Sequence, residues 1–280
     1  MKKIFIIITI QAIIFSSCDK QEVGLRTKQN ADRDLVINKS LKLSEDHDSL
    51  LTKMLRKEKQ VVRQKAKNLS KDARLEMNEI FDVIEEVAGV RPHVVASSDE
   101  IKQLSKASGA GENTPVFNFD DENISLSEYS NSAAIRRYLE RVDLILKDSL
   151  NNVQDQILRI SAVQEEVKQD PFLDNADLEN FFNTTEVLKG SMMLWNNHYQ
   201  GIQAKQDAKS MLKAKPLKQW SFFAKLGFVA AADAVGAVLG TFVGGFLIVN
   251  GVPIYIPSGP QGACVGLATL SLIAGNMVGW

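Results

Sequence analysis

Along most of the chain, apolar residues recur at spacings of three and four. The longest such stripe runs through Ile135, Leu139, Val142, Leu146, Leu150, Val153, Ile157, Ile160, Val163 and Val167. That is the period of an α-helix, and it predicts one continuous helix from about Ser127 to Gln169. Asp170-Pro171 stops it, because proline lacks an N–H and clashes with the preceding turn. Asp174 or Asn175 can cap a return helix reaching about Ala214, with Leu178, Phe181, Phe182, Leu188, Met192, Trp195, Tyr199 and Ile202 on its apolar face. A stripe on one helix must be covered by another, so a long antiparallel pair is expected. Upstream, a helix is expected over Ser44–Asn68. A second follows, capped by Ser70, with Leu75, Ile80, Phe81, Ile84 and Val87 on its face. Gly89 suits the left-handed position that ends a helix, and Pro92 lies just beyond. Residues 92–125, with Ser108-Gly109-Ala110-Gly111 and Thr114-Pro115, read as a long loop, and exposed Gly/Ser tips attract proteases. No strand pattern of comparable strength stands out. The expected class is therefore all-α: long antiparallel helices forming a bundle, plus a C-terminal hydrophobic helical hairpin.

The pattern changes near residue 220. Leu226 to Val249 is apolar except for Asp233 and Thr241, 24 residues in all. As helix that is roughly 36 Å, enough to cross a bilayer. Asn250-Gly251, Pro253, Pro257 and Gly259-Pro260 interrupt it, and Gln261–Trp280 forms a second apolar segment. The flanks suit a membrane hairpin. Lys205, Lys209, Lys213, Lys215, Lys218 and Lys225 precede it and would meet anionic headgroups. Trp220 and Trp280 would sit at one interface and Tyr255 at the other. Gly236, Gly240 and Gly244 fall nearly in line on one helical face, and Gly262 with Gly266 gives the second segment a similar face. Bare glycine faces let helix backbones touch, which is how membrane helices associate where lipid removes the hydrophobic driving force. The same segments also fit the buried central helices of a soluble bundle. The two readings are compatible if the hairpin is buried first and inserted later.

Charge is divided just as sharply. The chain carries 33 Lys and Arg against 34 Asp and Glu, which gives no electrostatic footprint for nucleic acid. Residues 226–280 contain a single charged side chain, Asp233. A carboxylate in such a setting is expensive and is a functional candidate by default. It can pair with a lysine, line a pore, titrate during insertion, or merely snorkel to an interface. His47, His93 and His198 are scattered, with no Cys or carboxylate at metal-ligand spacing, and no nucleophile elbow, P-loop or dinucleotide fingerprint occurs. The expectation is a non-enzyme without cofactor or metal.

The N-terminus has the order of a secretory signal: Lys2-Lys3, then apolar Ile4–Phe15, then Ser16-Ser17 before Cys18. Phe15-Ser16-Ser17-Cys18 resembles a lipobox, with Phe15 in place of the usual Leu, and implies cleavage before Cys18 and lipidation of that cysteine. Such endings resemble lipoproteins of Bacteroidetes, in which the charges Asp19, Lys20 and Glu22 would resemble a surface-export signal. In other Gram-negative bacteria Asp19 would resemble an inner-membrane retention signal. The favoured location is the outer membrane or cell surface, with release outside the cell. Asp48-Ser49-Leu50 and Asp148-Ser149-Leu150 resemble the Bacteroidetes O-glycosylation motif, against the plainer reading of Ser49 and Ser149 as helix-surface or capping residues. Cys264 is left without a disulfide partner once Cys18 is lipidated.

These readings divide the chain into a signal peptide (1–17), a flexible tether (18–43), a polar helical body (44–219) and a glycine-rich, membrane-active hairpin (220–280). The C-terminal part is similar to hydrophobic bacteriocins. The whole organisation resembles the antimicrobial lipoprotein toxins of Bacteroidales. The resemblance implies a toxin that permeabilises target membranes after proteolytic release, at Arg91 or Arg136 on the borders of the loop or within it. Its partners would be a lipid bilayer, a receptor on target bacteria, an activating protease and further copies of itself. The alternatives are a non-toxic structural or interaction lipoprotein with a second membrane anchor, and an immunity lipoprotein.

Overall fold

The computed structural model describes residues 2–68, 75–89, 91–94, 103, 116–118, 125–129, 132–148, 152–206, 222–238, 245–249, 252–256, 266 and 269–275. The class is the all-α one that the periodicity predicts. Its helices are α1 (Lys2–Asn68), α2 (Met77–Ala88), α3 (Ala133–Lys147), α4 (Val153–Gln169), α5 (Asn175–Gln206), α6 (Phe222–Val238) and α7 (269–275), with a 3-10 turn at Leu126–Tyr129. Beside them lies one small sheet of four short strands, β1 (His93–Val94), β2 (Val116–Asn118), β3 (Gly245–Val249) and β4 (Val252–Ile256), in the order β1-β4-β3-β2.

Four expectations change. The tether expected over 18–43 is helical, being part of α1. Arg33, Val36, Ser40, Ser44, His47, Leu51 and Met54 are all buried, at spacings of three and four. This is a helical stripe whose polar members hide it from a hydrophobicity scan. Two of its polar side chains bond distant carbonyls. Arg33 donates to the carbonyls of Lys168 (2.7 Å), Asp170 (2.9 Å) and Leu173 (2.9 Å), and Ser44 Oγ donates to the carbonyl of Glu186 at 2.9 Å. Cys18 falls within α1, and its side chain lies outside the described residues.

The single helix expected over Ser127–Gln169 is two. α3 ends at Lys147 and α4 begins at Val153, where an Asn side chain bonds the backbone in place of a continuing helix. Asn152 caps α4, accepting from the Asp155 N–H at 2.9 Å. Gln156 Nε2 closes the end of α3 by donating to the carbonyls of Ile145 (3.1 Å) and Asp148 (3.0 Å). The expected terminators do act elsewhere. Asp174 Oδ1 accepts from the Asp177 N–H at 2.8 Å at the start of α5, and Gly89 ends α2 with φ of 73°. The start of α2 is set by Glu76 and Glu79 as a reciprocal capping box. Ser70 lies outside the described residues.

The apolar helix expected from Leu226 to Val249 stops at Val238, and Gly245–Val249 is a strand. Phe246-Leu247-Ile248-Val249 and Val252-Pro253-Ile254-Tyr255-Ile256 flank Asn250-Gly251, the strongest short hairpin signal a sequence can carry. Val249 pairs with Val252 and Gly245 with Ile256. With 17 residues, α6 is roughly 26 Å long. Among the described residues, no helix is long and apolar enough to cross a membrane.

The long loop expected over 92–125 is tied to this sheet near both ends. β1 pairs antiparallel with β4 through His93 and Tyr255, and β2 pairs parallel with β3. At the distal end Asp143, buried on α3, accepts from Ser125 Oγ (2.8 Å), the Leu126 N–H (2.8 Å) and the Ser127 N–H (3.2 Å).

One continuous core joins the polar body to the hydrophobic segment. α1 and α6 both pack on α5, α4 packs on α5 and α3, and Leu226–Val235, Ile254 and 270–274 share a single apolar cluster with residues from Val36 to Trp195. The described apolar residues after 220 thus share the core of the polar body.

Candidate functional site

Four helices bring polar side chains to one point inside this core, and Asp233 of α6 is at its centre. It is completely buried. Its carboxylate accepts hydrogen bonds from Ser191 Oγ on α5 and Ser271 Oγ on α7, and a longer one from Trp195 Nε1 at 3.4 Å. His47 Nε2, on α1, stands 3.7 Å from Asp233 Oδ2. The other ring nitrogen, Nδ1, is 2.9 Å from Asp48 Oδ1, whose side chain is 36% exposed. A row therefore runs from solvent to core: Asp48, His47, Asp233.

Local sequence explains how the backbones approach so closely. Gly190 lies opposite Ser44 and Asp48. A Cβ there would sit 2.6 Å from Ser44 Oγ and 2.8 Å from Asp48 Oδ2, so any larger residue would have to displace these two side chains of α1. Gly275 does the same for α7, where a Cβ would fall 2.6 Å from the Trp195 ring. Trp195 is thus pressed between Gly275, Asp233 and the His198 ring, whose centroid is 5.5 Å away in a T-shaped contact.

The electrostatics follow from burial. Desolvation pushes the Asp233 carboxyl up to about 6, while His47, Ser191, Ser271 and Trp195 all pull the other way. A second carboxyl, Glu58 on α1, is raised to about 7 by burial alone. Two buried polar atoms, His47 Nε2 and Thr269 Oγ1, have no hydrogen-bond partner among the described residues. In chemical terms the cluster can hold or exchange one proton in a dry setting. Among the described residues no group of three or more His, Cys, Asp or Glu is arranged to hold a metal ion.

The remaining expected residues are dispersed. Gly266 is helical and buried, and Gly236 is in α6; Gly240, Gly244, Gly262, Trp220, Trp280 and Ser149 lie outside the described residues. Tyr255 sits in β4, paired with Phe246 and His93. Arg91 is engaged with Asp82 (2.5 Å) and Glu85 (2.7 Å) beyond the end of α2, and Arg136 is exposed but inside α3. A protease needs extended chain, so a cut at Arg136 requires α3 to unwind. Ser49 is exposed on α1.

Asp233 was legible in the sequence; its partners were missed. Ser191 lies between Leu188 and Trp195 on the apolar face of α5, and His47 lies on the stripe Ser40-Ser44-Leu51-Met54. A polar residue at an apolar-periodic position is the signal that would have found both. Comparisons with known protein families, characterised proteins and solved structures find no match for this chain.

Proposed function

We propose that this protein is an antibacterial toxin, held at the outer membrane or cell surface by lipid on Cys18, that permeabilises target membranes with residues 220–280 after its helical cover is released. The observation that carries the reading is how the apolar segment is stored. Leu226 and Phe228–Val235 are buried, as are all of 269–275, beneath helices of residues 19–219, the part of the chain that carries nearly all its charge. A sequence so depleted in charge is kept from water, and from the producer's own membrane, by α1 and α5.

Release has a natural route. A cut in the 92–125 segment leaves α1 and α2 joined to the rest only by non-covalent contacts, chiefly α1 on α5 and β1 on β4. Loss of α1 removes His47 from Asp233 and uncovers the apolar face of α5. In the membrane-active form α6 must grow at the expense of β3, because its resting length falls short of a bilayer. Glycines 236, 240 and 244 would then line its packing face.

Growth inhibition tests this directly. A strain secreting the protein should clear a lawn of related bacteria. Gly240→Leu should reduce the clearing activity by about tenfold or more, since a leucine on the glycine face blocks close helix contact. Full export with no inhibition of any relative would refute the toxin reading. A second reading, a non-toxic envelope lipoprotein that binds a partner, draws on the lack of a membrane-crossing helix among the described residues. It predicts no inhibition and stable co-purification of a complex.

A further inference from the structure

The cluster contains a path as well as a charge. Asp48 reaches solvent, its carboxylate is 2.9 Å from His47 Nδ1, and the far nitrogen of the same ring faces the buried Asp233 at 3.7 Å. An imidazole can take a proton at the nitrogen facing Asp48 and release one from Nε2, ending as the other tautomer; the return of the proton restores it. His47 Nε2 has no hydrogen-bond partner among the described residues, so it is not committed elsewhere.

We propose that Asp48, His47 and Asp233 form a proton path from solvent into the core, and that proton occupancy of Asp233 sets how firmly α6 and α7 are held there. The path stands on the resting fold and does not depend on what the apolar segment does once released.

No other charge competes at this point among the described residues. α5 brings Ser191 and Trp195, with His198 behind the indole, and α7 brings Thr269 and Ser271. On α3, Asp143 is occupied by residues 125–127. On α5, Glu186 is turned toward Gln164 and Lys189.

The sign is fixed by linkage. Asp233 ionises near its ordinary 3.8 in the unfolded chain but at about 6 in the fold. The folded state therefore holds its proton more tightly, and protonation stabilises it. That contribution is complete below about pH 4 and is lost as pH rises through about 6. Glu79, Glu166 and Asp170 shift in the opposite direction, through bonds to Lys65, Arg141 and the Phe172 N–H respectively, and Glu58 shifts in the same direction. The informative quantity is thus the difference between wild type and Asp233→Asn.

Denaturation of the full chain should show the ratio of the two folding equilibrium constants changing by about a hundredfold between pH 4 and 7, with the variant gaining as pH rises. Parallel profiles would overturn the proposal. A second measurement needs no stability change. Infrared spectra at pH 5 should show one protonated, buried carboxylic acid band more in the wild type than in Asp233→Asn, beyond the Glu58 signal common to both; identical spectra would overturn the assignment. On a rapid pH drop the band should form at least about tenfold more slowly in His47→Gln, because the shuttling ring is gone. An unslowed band in that variant would overturn the path.

Discussion

Replacing Trp195 with alanine should cost about 3–5 kcal/mol, the range for deleting a fully buried aromatic side chain. The indole is 1% exposed and touches two other helices as well as its own. It packs on Gly275 of α7, bonds Asp233 of α6 and carries the edge contact with His198. No neighbour can collapse into that space without moving α7. Chemical denaturation measures the loss, and hydrogen exchange should place it in α6 and α7 first. A cost below about 1 kcal/mol, typical of surface sites, would mean that the indole is not the wedge between these helices. The reverse substitution gives the same answer from the other side. Gly275→Val puts a branched side chain where the Trp195 ring already lies, and overpacking of a full core should cost about 1–3 kcal/mol.

The second large effect concerns the cover. Arg33 is buried on α1 and donates three hydrogen bonds, all to carbonyls at or just past the end of α4. The Lys168 carbonyl is one that a helix C-terminus leaves without a partner, the Asp170 and Leu173 carbonyls lie in the turn that follows, and a cation suits the negative end of the helix dipole. Arg33→Met keeps the apolar stem and removes the donors. It should destabilise by about 3 kcal/mol, since bonds from a charged donor are the strong ones and the acceptors stay buried. The loss should be local. Exchange in residues 31–50 should quicken far more than exchange in α4, since α4 keeps its own backbone ladder and the Arg141–Glu166 pair at 2.6 Å. Equal acceleration throughout would show that α1 is not held by this contact.

These two residues also show what a sequence can and cannot reveal. The three-and-four spacing exposed the helices that bury plain apolar stripes, and the glycine and Asp caps at Gly89 and Asp174 marked their ends. It failed where the buried face is polar. The stripe from Arg33 through Ser40, Ser44 and His47 has helical spacing but little hydrophobicity; Arg33 and Ser44 are supported by hydrogen bonds to distant carbonyls, Ser40 by the Val36 carbonyl one turn back, and His47 by the Asp48 carboxylate. It failed again where two local preferences compete. The 226–249 run is apolar enough for a long helix, yet its β-branched second half and the Asn250-Gly251 pair favour a hairpin, and pairing with β1 and β2 decides for strands. Asp233 announced itself as the lone charge in an apolar stretch. Ser191, Trp195 and Ser271 lie 38–42 residues from it, on two other elements, so only the packed fold could name them as its partners.

The proposal of a sheathed, releasable membrane segment is tested most directly by dye release from vesicles containing anionic lipid. Intact protein should leave the dye inside. The same protein, cut within 92–125 and verified as cut, should release it at matched concentration. Cut protein that releases no dye, or intact protein that releases it just as fast, would contradict the account.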